Sequence, residues 1–409
     1  MKTLHTTITG LLLLQLLGCS PPGEHSDDGI ESLSLPTVEQ PAGPRLSTTA
    51  NGNVVLSWME ADDSGTTLWF STLADDGWQP RQAVVSGKDM FVNWADLPAV
   101  VPITDKHLVA HWLEMAGSTT YAYHIWMAQS FDAGATWSEP MRPHTDGTPT
   151  EHGFVSLFPH DGNVAAIWLD GRKTGSEASD DPTTSGMTLR GDTIDADGTL
   201  HSEQLIDELI CDCCQTDVAV ATSGPVAVYR DRTVDEIRDI FVSRFVDESW
   251  QQGVPLNNDN WQIAGCPVNG PAIAAHGSHV AATWFSVPDQ VPAVKLKMSS
   301  DSGATFGEAV PIATDGSLGR VDIVMLSDNS VVVSWLQSSG GGHASLMVRV
   351  ISRSGEPGPA RTISTNLPAR SAPQMAVSGG NLVFVWTEKQ DESTRFGSSR
   401  VAVESVANK

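Results

Sequence analysis

Apolar and polar positions along this chain alternate in short runs. The runs are broken by turn-forming glycine, asparagine and aspartate, a pattern of β-strands and not of helices. One unit recurs seven times: a short β-rich stretch, a polar turn, then an apolar run that ends in a large aromatic. Its first copy is Arg45-Leu46-Ser47, the turn Asn51-Gly52-Asn53, and Val54-Val55-Leu56-Ser57-Trp58. The later copies end at Trp112, Trp168, Tyr229, Trp284, Trp335 and Trp386. The spacing runs from 51 to 61 residues. A period near fifty with two hairpins per unit marks the blades of a β-propeller. The turns Asp161-Gly162-Asn163, Ser223-Gly224, Asp328-Asn329 and Gly379-Gly380 carry hairpin chemistry.

A second hairpin follows each aromatic, and its first strand alternates, as in Val294-Lys295-Leu296-Lys297-Met298. Six units have a fourth strand after it, such as Pro80–Val85 or Pro311–Ala313, whereas the seventh runs out at Lys409. The stretch Glu31-Ser32-Leu33-Ser34-Leu35-Pro36 lies ahead of the first unit and can supply the missing outer strand, pairing an otherwise open edge. The expected architecture is all-β, a single seven-bladed propeller over residues 31–409 closed by an N-terminal strand, with six blades as the alternative.

Two of the second-hairpin turns share one pattern, Ser130-Phe131-Asp132-Ala133-Gly134-Ala135-Thr136-Trp137 and Ser299-Ser300-Asp301-Ser302-Gly303-Ala304-Thr305-Phe306. Asp75-Asp76-Gly77-Trp78 is a shortened third copy and Asp197-Gly198-Thr199 a worn fourth. The aspartate accepts backbone N–H bonds, the glycine takes φ > 0 and the aromatic plugs between strands. These turns resemble the Asp boxes of the sialidase (BNR-repeat) superfamily, where they are structural and lie away from the catalytic face.

Strand order places the loops before the first strands, and those after the aromatics, on one face around the central channel. The first group carries Arg45, Asn93, Trp94, Asp96, Glu151, His152, the Cys211–Gln215 segment, Cys266, Asn269, Arg320, Asp322 and Arg370. The second carries Glu60, Glu114, Asp170, Arg172, Arg230, Asp231, Arg232 and Glu388. Arginine binds carboxylates bidentately, and carboxylate pairs act on glycosides. The ligand-binding candidates are therefore Arg45, Asn93, Glu151, His152, Arg172, Arg230, Arg232, Asn269 and Arg320.

The resemblance implies an arginine triad for a sugar carboxylate, an aspartate acid and a tyrosine nucleophile activated by a glutamate. Arg45, in Pro44-Arg45-Leu46, corresponds to the family's opening arginine, with Arg172, Arg230 or Arg320 as further members. Asp96, Glu114, Tyr121 and Asp170 are the catalytic candidates. No tyrosine follows the family's nucleophile motif, so two functions stay open. One is an exo-sialidase-like glycoside hydrolase acting on an acidic glycan; the other is a non-catalytic module that binds a glycan or a protein.

Cys211-Asp212-Cys213-Cys214 leads into blade four and Gly265-Cys266-Pro267 into blade five, so these loops should be neighbours. Cys266 is expected to be disulfide-bonded to Cys211, Cys213 or Cys214. A thiolate site for copper or zinc, which would make the protein a metal-binding propeller, is the alternative. No other cofactor is expected.

The N-terminus bears on the compartment. Met1-Lys2 precedes an apolar run from Ile8 to Leu17, with Leu16-Leu17-Gly18-Cys19 at its end. That length suits a cleaved signal over residues 1–18 and not a membrane span. The closing tetrad resembles a lipobox, which implies lipidation of Cys19, a flexible tether over residues 19–30, and an outer-membrane address facing the periplasm or the cell surface. Removing residues 1–18 takes away one lysine and no acid, moving the net charge from −25 to −26. Such acidity speaks against nucleic acid as a partner. Membrane association is expected through the lipid alone, and the protein is expected to be monomeric. Any anionic ligand then needs a local basic site.

Overall fold

A computed structural model describes residues 29–37, 40–49, 51–174, 185–390 and 393–407. The expected signal segment, Cys19 and the tether up to residue 28 lie outside the described residues. No helix among the described residues is long and apolar enough to cross a membrane.

Seven antiparallel sheets follow one another along the chain, and each is a blade. Their innermost strands are Pro41–Thr48, Ala99–Pro102, His152–His160, Asp217–Ala221, Ala272–His276, Ser317–Met325 and Gln374–Ser378. The expected seven blades are borne out. The ring closes as expected too. Ile30–Ser32 pairs with Ser393–Ala402, setting Ile30 opposite Val401 and Ser32 opposite Ser399, and Glu31 forms an ion pair with Arg400 at 2.7 Å. The fourth strands of blades one and five form at Gln82–Gly87 and Val310–Thr314.

Blade two departs from expectation. Its sheet has three strands, ending at Tyr123–Ser130, and the fourth is reduced to a single bridge between Met127 and Met141. Pro140 and Pro143 flank that bridge; each lacks the N–H that a continuing ladder requires. The chain beyond them is free to carry His144 and Asp146 inward.

The core lies between blades. Val55, Met59, Leu68 and Phe70 of blade one pack with Val100, Leu108, Ala110 and Trp112 of blade two. Leu46, Leu56 and Trp58 meet Val383, Val385 and Phe396 across the closing junction. All seven repeat aromatics, from Trp58 to Trp386, are buried. The turn at Ser130–Trp137 shows why its glycine is required. Gly134 has φ of 89°, and a Cβ there would stand 2.2 Å from the Phe70 ring of blade one. In the same turn Asp132 accepts the Thr136 N–H at 2.8 Å, and the equivalent Asp301–Thr305 bond measures 2.9 Å.

Side chains of the inner strands and of the loops before them tie each blade to the next. Ser47 Oγ donates to the Val100 carbonyl at 2.7 Å, and Asp96 accepts the Phe154 N–H at 2.8 Å. Ser156 Oγ donates to the Thr216 carbonyl at 2.9 Å, while Asp217 accepts the Ile273 N–H at 2.9 Å. Asn269 Oδ1 accepts the Arg320 N–H at 2.8 Å, and Asp322 accepts the Met375 N–H at 2.7 Å. One such bond spans every junction from blade one to blade seven. Together they hold the inner strands at a fixed radius and frame the channel.

Candidate functional site at the channel mouth

The central channel opens into a cavity of about 430 Å³. Its wall carries Arg45, Trp94, His111, Gln215, Asp217, Asn269, Arg320, Asp322 and Gln374. Arg370 reaches the same mouth: its guanidinium carbon lies 5.8 Å from the centre of the Trp94 ring, and that of Arg320 lies 4.9 Å from it. Trp94 is 44% exposed. Among the described residues, the guanidinium groups of Arg45, Arg320 and Arg370 form no salt bridge, and the buried Nε of Arg320 has no hydrogen-bond partner. Burial lowers the Arg320 pKa from its ordinary value. His111, whose strand position gave no hint of a channel role, is held neutral by burial and by Arg45, its pKa down at about 3.

Other expected ligand residues are engaged within the protein. Arg230 is buried and donates to the carbonyls of Asn269, Arg238 and Phe285. Arg172 forms ion pairs with Asp170 and Glu203 at 2.7 and 2.8 Å, and Arg232 with Glu236 at 2.6 Å. Asn93 caps its own turn by accepting the Ala95 and Asp96 N–H groups. Asn269 lines the cavity, yet its Oδ1 is taken by the Arg320 backbone.

The catalytic candidates divide in the same way. Glu114 accepts the Trp112 indole N–H at 2.8 Å and Asp170 that of Trp168 at 3.0 Å. Trp58–Glu60, Trp335–Gln337 and Trp386–Glu388 repeat the arrangement. Tyr121 stands on the surface, 64% exposed. Asp96 is buried as a blade-to-blade link, and burial raises its pKa to about 7. It faces a pair that sequence reasoning could not place: Tyr123 donates to Glu151 at 2.6 Å and lies 3.4 Å from Asp96. Tyr123 is buried and stacked on Phe91, and burial, then the two carboxylates, drive its pKa upward. Burial likewise lifts Glu151 to about 7.

Two clusters could hold a metal. The first lies between blades two and three. His144 and His152 stack at 3.8 Å, and a ligand nitrogen of each lies within 4.8 Å of one on His124. His152 Nδ1 faces the Thr150 carbonyl at 3.1 Å, and its Nε2 faces Asp146 at 3.1 Å. Burial opposes the charge on Asp146, but hydrogen bonds from His144, His152 and Thr148 hold its pKa far below the ordinary value. Of this group the sequence reading had only His152 and Asp170. His124, His144 and Asp146 come from a strand and a proline-broken loop of the preceding blade, with no shared motif.

The second cluster is Cys211, Cys213, Cys214 and Cys266. The loops are neighbours as expected, but the expected bridge to Cys266 is not formed: all four are free thiols. Cys266 lies exposed at 3.8 Å from Asp212, whereas Cys211 is 3.4 Å from Cys214 and 3.7 Å from Cys213, sulfur to sulfur.

No protein-family model and no curated protein matches this chain. Solved structures do resemble it in fold. NanB sialidase from Streptococcus pneumoniae shares 9% identity at a TM-score of 0.49, over 87% of this chain and 84% of that one. An α-L-arabinanase from Penicillium chrysogenum shares 12% at 0.49, over 92% and 97%. The Hadza microbial sialidase Hz136 shares 16% at 0.45; the match covers 72% of this chain and 63% of that one. By its own seven sheets and closing strand, the chain is a seven-bladed β-propeller with an arginine-lined channel mouth.

Proposed function

We propose that this protein binds a carboxylate-bearing saccharide at the mouth of its channel. Arg45, Arg320 and Arg370 meet the carboxylate there, and the exposed Trp94 indole is a platform for the sugar ring. One observation carries the reading. The chain has 49 acidic residues against 24 lysines and arginines, yet among the described residues three arginines around one opening form no salt bridge, Arg45 feeling Asp96, Asp217 and Asp322 only at longer range. A partly desolvated, unpaired guanidinium costs free energy that an anionic ligand recovers, and arginine's planar fork suits a carboxylate. A glycan array carrying sialylated, uronate-containing and neutral saccharides tests it. The wild-type protein should retain acidic glycans, and the double variant Arg320→Gln/Arg370→Gln should lose them while remaining folded by circular dichroism. Equal retention by both proteins would defeat the proposal.

Hydrolysis of that glycan is a second reading, supported by the contact of Tyr123 with Glu151 and Asp96. In the present arrangement the tyrosine hydroxyl is buried and held protonated, so turnover would require the pair to open toward the channel. Release of sugar by the wild type, abolished in Tyr123→Phe with binding kept, would support hydrolysis. Binding without release by either protein would leave a binding module.

The protein acts as a lipid-anchored component of the cell envelope, on the strength of the Leu16–Cys19 tetrad that ends the apolar segment. Cys19→Ser, or treatment with globomycin, should block processing or release the protein from membranes. A Cys19→Ser protein that is still cleaved and still membrane-bound would refute the anchor.

A further inference from the structure

We infer that Cys211, Cys213 and Cys214, with Cys266 closing the site from the next blade, bind one thiophilic d¹⁰ cation, Zn(II) or Cu(I). The spacing of the sulfurs is the first ground. Cys211 Sγ stands 3.4 Å from that of Cys214 and 3.7 Å from that of Cys213. Thiolates bound to one tetrahedral ion at about 2.3 Å lie about 3.8 Å apart, whereas a disulfide needs about 2.05 Å. Cys213 also belongs to a second trio with Cys266 and Asp212, whose ligand atoms lie within 4.8 Å of one another. A small movement of the exposed Cys266 loop would bring in a fourth sulfur.

The surroundings are the second ground. Arg238, itself buried, donates to Cys211 Sγ at 3.2 Å and to Asp212 at 3.2 Å. Its other nitrogens are held by Glu236 at 2.7 and 3.1 Å. A guanidinium anchored in this way compensates negative charge on sulfur, and it orients the ligand as outer-shell partners of metal sites do. Soft sulfur donors select zinc and cuprous copper over hard cations. In the histidine–aspartate cluster His152, Asp146, Asp170 and Arg172 already satisfy one another, while His124 Nδ1 and His144 Nε2 have no hydrogen-bond partner among the described residues. The cysteine site adjoins the channel mouth. Cys214 is followed by Gln215, which lines the cavity, and Arg320 lies within electrostatic reach of Cys213 and Cys214.

The test uses the full chain, reduced and stripped with a chelator, then titrated without oxygen. One arm uses Zn(II) alone and the other Cu(I) buffered by bathocuproine disulfonate. One equivalent of either ion should bind, shield Cys211, Cys213 and Cys214 from iodoacetamide, and raise the melting temperature. Loss of a ligand in Cys214→Ser should weaken binding by more than the roughly 10–100-fold that loss of an outer-shell partner costs. Cys266→Ser, at an exposed position, avoids any effect on the core and should still lower affinity by about tenfold or more. The inference is overturned if the reduced chain takes up neither ion with all four thiols open to alkylation. It is also overturned if protein isolated without reductant carries Cys266 cross-linked to one of the other three and retains no metal.

Discussion

At the scale of single residues, six of the seven repeat aromatics account for much of the acidity near the channel face, and the seventh, Trp335, bonds Gln337. Trp58, Trp112, Trp168 and Trp386 each place a buried indole N–H beside an acid two positions later in the chain. Along a strand, positions i and i+2 share a face, so the spacing alone delivers the acceptor. Trp284 and Tyr229 reach the same end through Asp259 and Asp207. Carboxylates that look catalytic in a list are thus largely bonded to the core. Glu114→Ala should strand the Trp112 N–H and cost about 1–3 kcal/mol, whereas Glu114→Gln keeps an acceptor and should stay close to wild type. Urea denaturation measures both; an Ala variant as stable as the Gln variant would show that the bond contributes nothing. The arginines follow the opposite logic. Arg172, Arg230 and Arg232 are held by neighbours, whereas among the described residues Arg45, Arg320 and Arg370 form no salt bridge.

At the scale of elements, the period of the aromatics and the turn chemistry made the blades legible, because each blade repeats one local solution to burying a two-sided sheet. The closing strand was legible for the same reason: a blade lacking an outer strand needs one, and Glu31–Pro36 was the free β-rich stretch. Deleting residues 29–37 should uncover the Ser393–Ala402 edge, lower the melting temperature of the whole ring and promote aggregation. Glu31→Ala, which removes a partly exposed ion pair and keeps the strand backbone, should cost no more than about 1 kcal/mol. A deletion that melts like wild type would show that Ile30–Ser32 does not secure the ring. The site was less legible. Of the residues named from the loops, Arg45, Asn269 and Arg320 line the cavity. The Tyr123–Glu151 contact and the histidine cluster depend on how the proline-broken segment of blade two folds back, and no local pattern encodes that.

At the scale of the whole molecule, buried carboxyl groups set the response to pH. Burial raises Asp96, Glu151, Asp231 and Asp322 to about 7, against about 4 in an unfolded chain. Between those limits the folded protein holds more protons than the unfolded one, so these groups make stability fall as pH rises, until about pH 7. His111 and His124, lowered to about 3 and 4 with burial the leading cause, act in the opposite sense below about pH 6.5. Above that pH the carboxyl groups dominate, and His201, whose pKa its bond to Asp195 raises, acts in the same sense. Stability should therefore drop most steeply between about pH 6 and 7.5, and the melting temperature at pH 8 should lie about 2 °C or more below that at pH 6. Below about pH 4, protonation of groups with lowered pKa values, such as Asp170 and Asp259, removes stability again. Calorimetric melting between pH 4 and pH 8 tests this, and a flat or rising trend from pH 6 to pH 8 would contradict it.

The central claim is that the channel mouth recognises a carboxylate, and one comparison tests it most directly. Isothermal titration at low salt should compare the methyl glycosides of glucuronic acid and N-acetylneuraminic acid with the methyl esters of the same compounds. Esterification removes the charge and leaves the sugar ring in place. At least one acid should bind about tenfold or more tightly than its ester, since a hydrogen bond to a charged group is worth about 1.5–3 kcal/mol. That advantage should shrink as salt is raised. If neither acid binds more tightly than its ester, the unpaired arginines at the mouth do not form a carboxylate site, and the account fails.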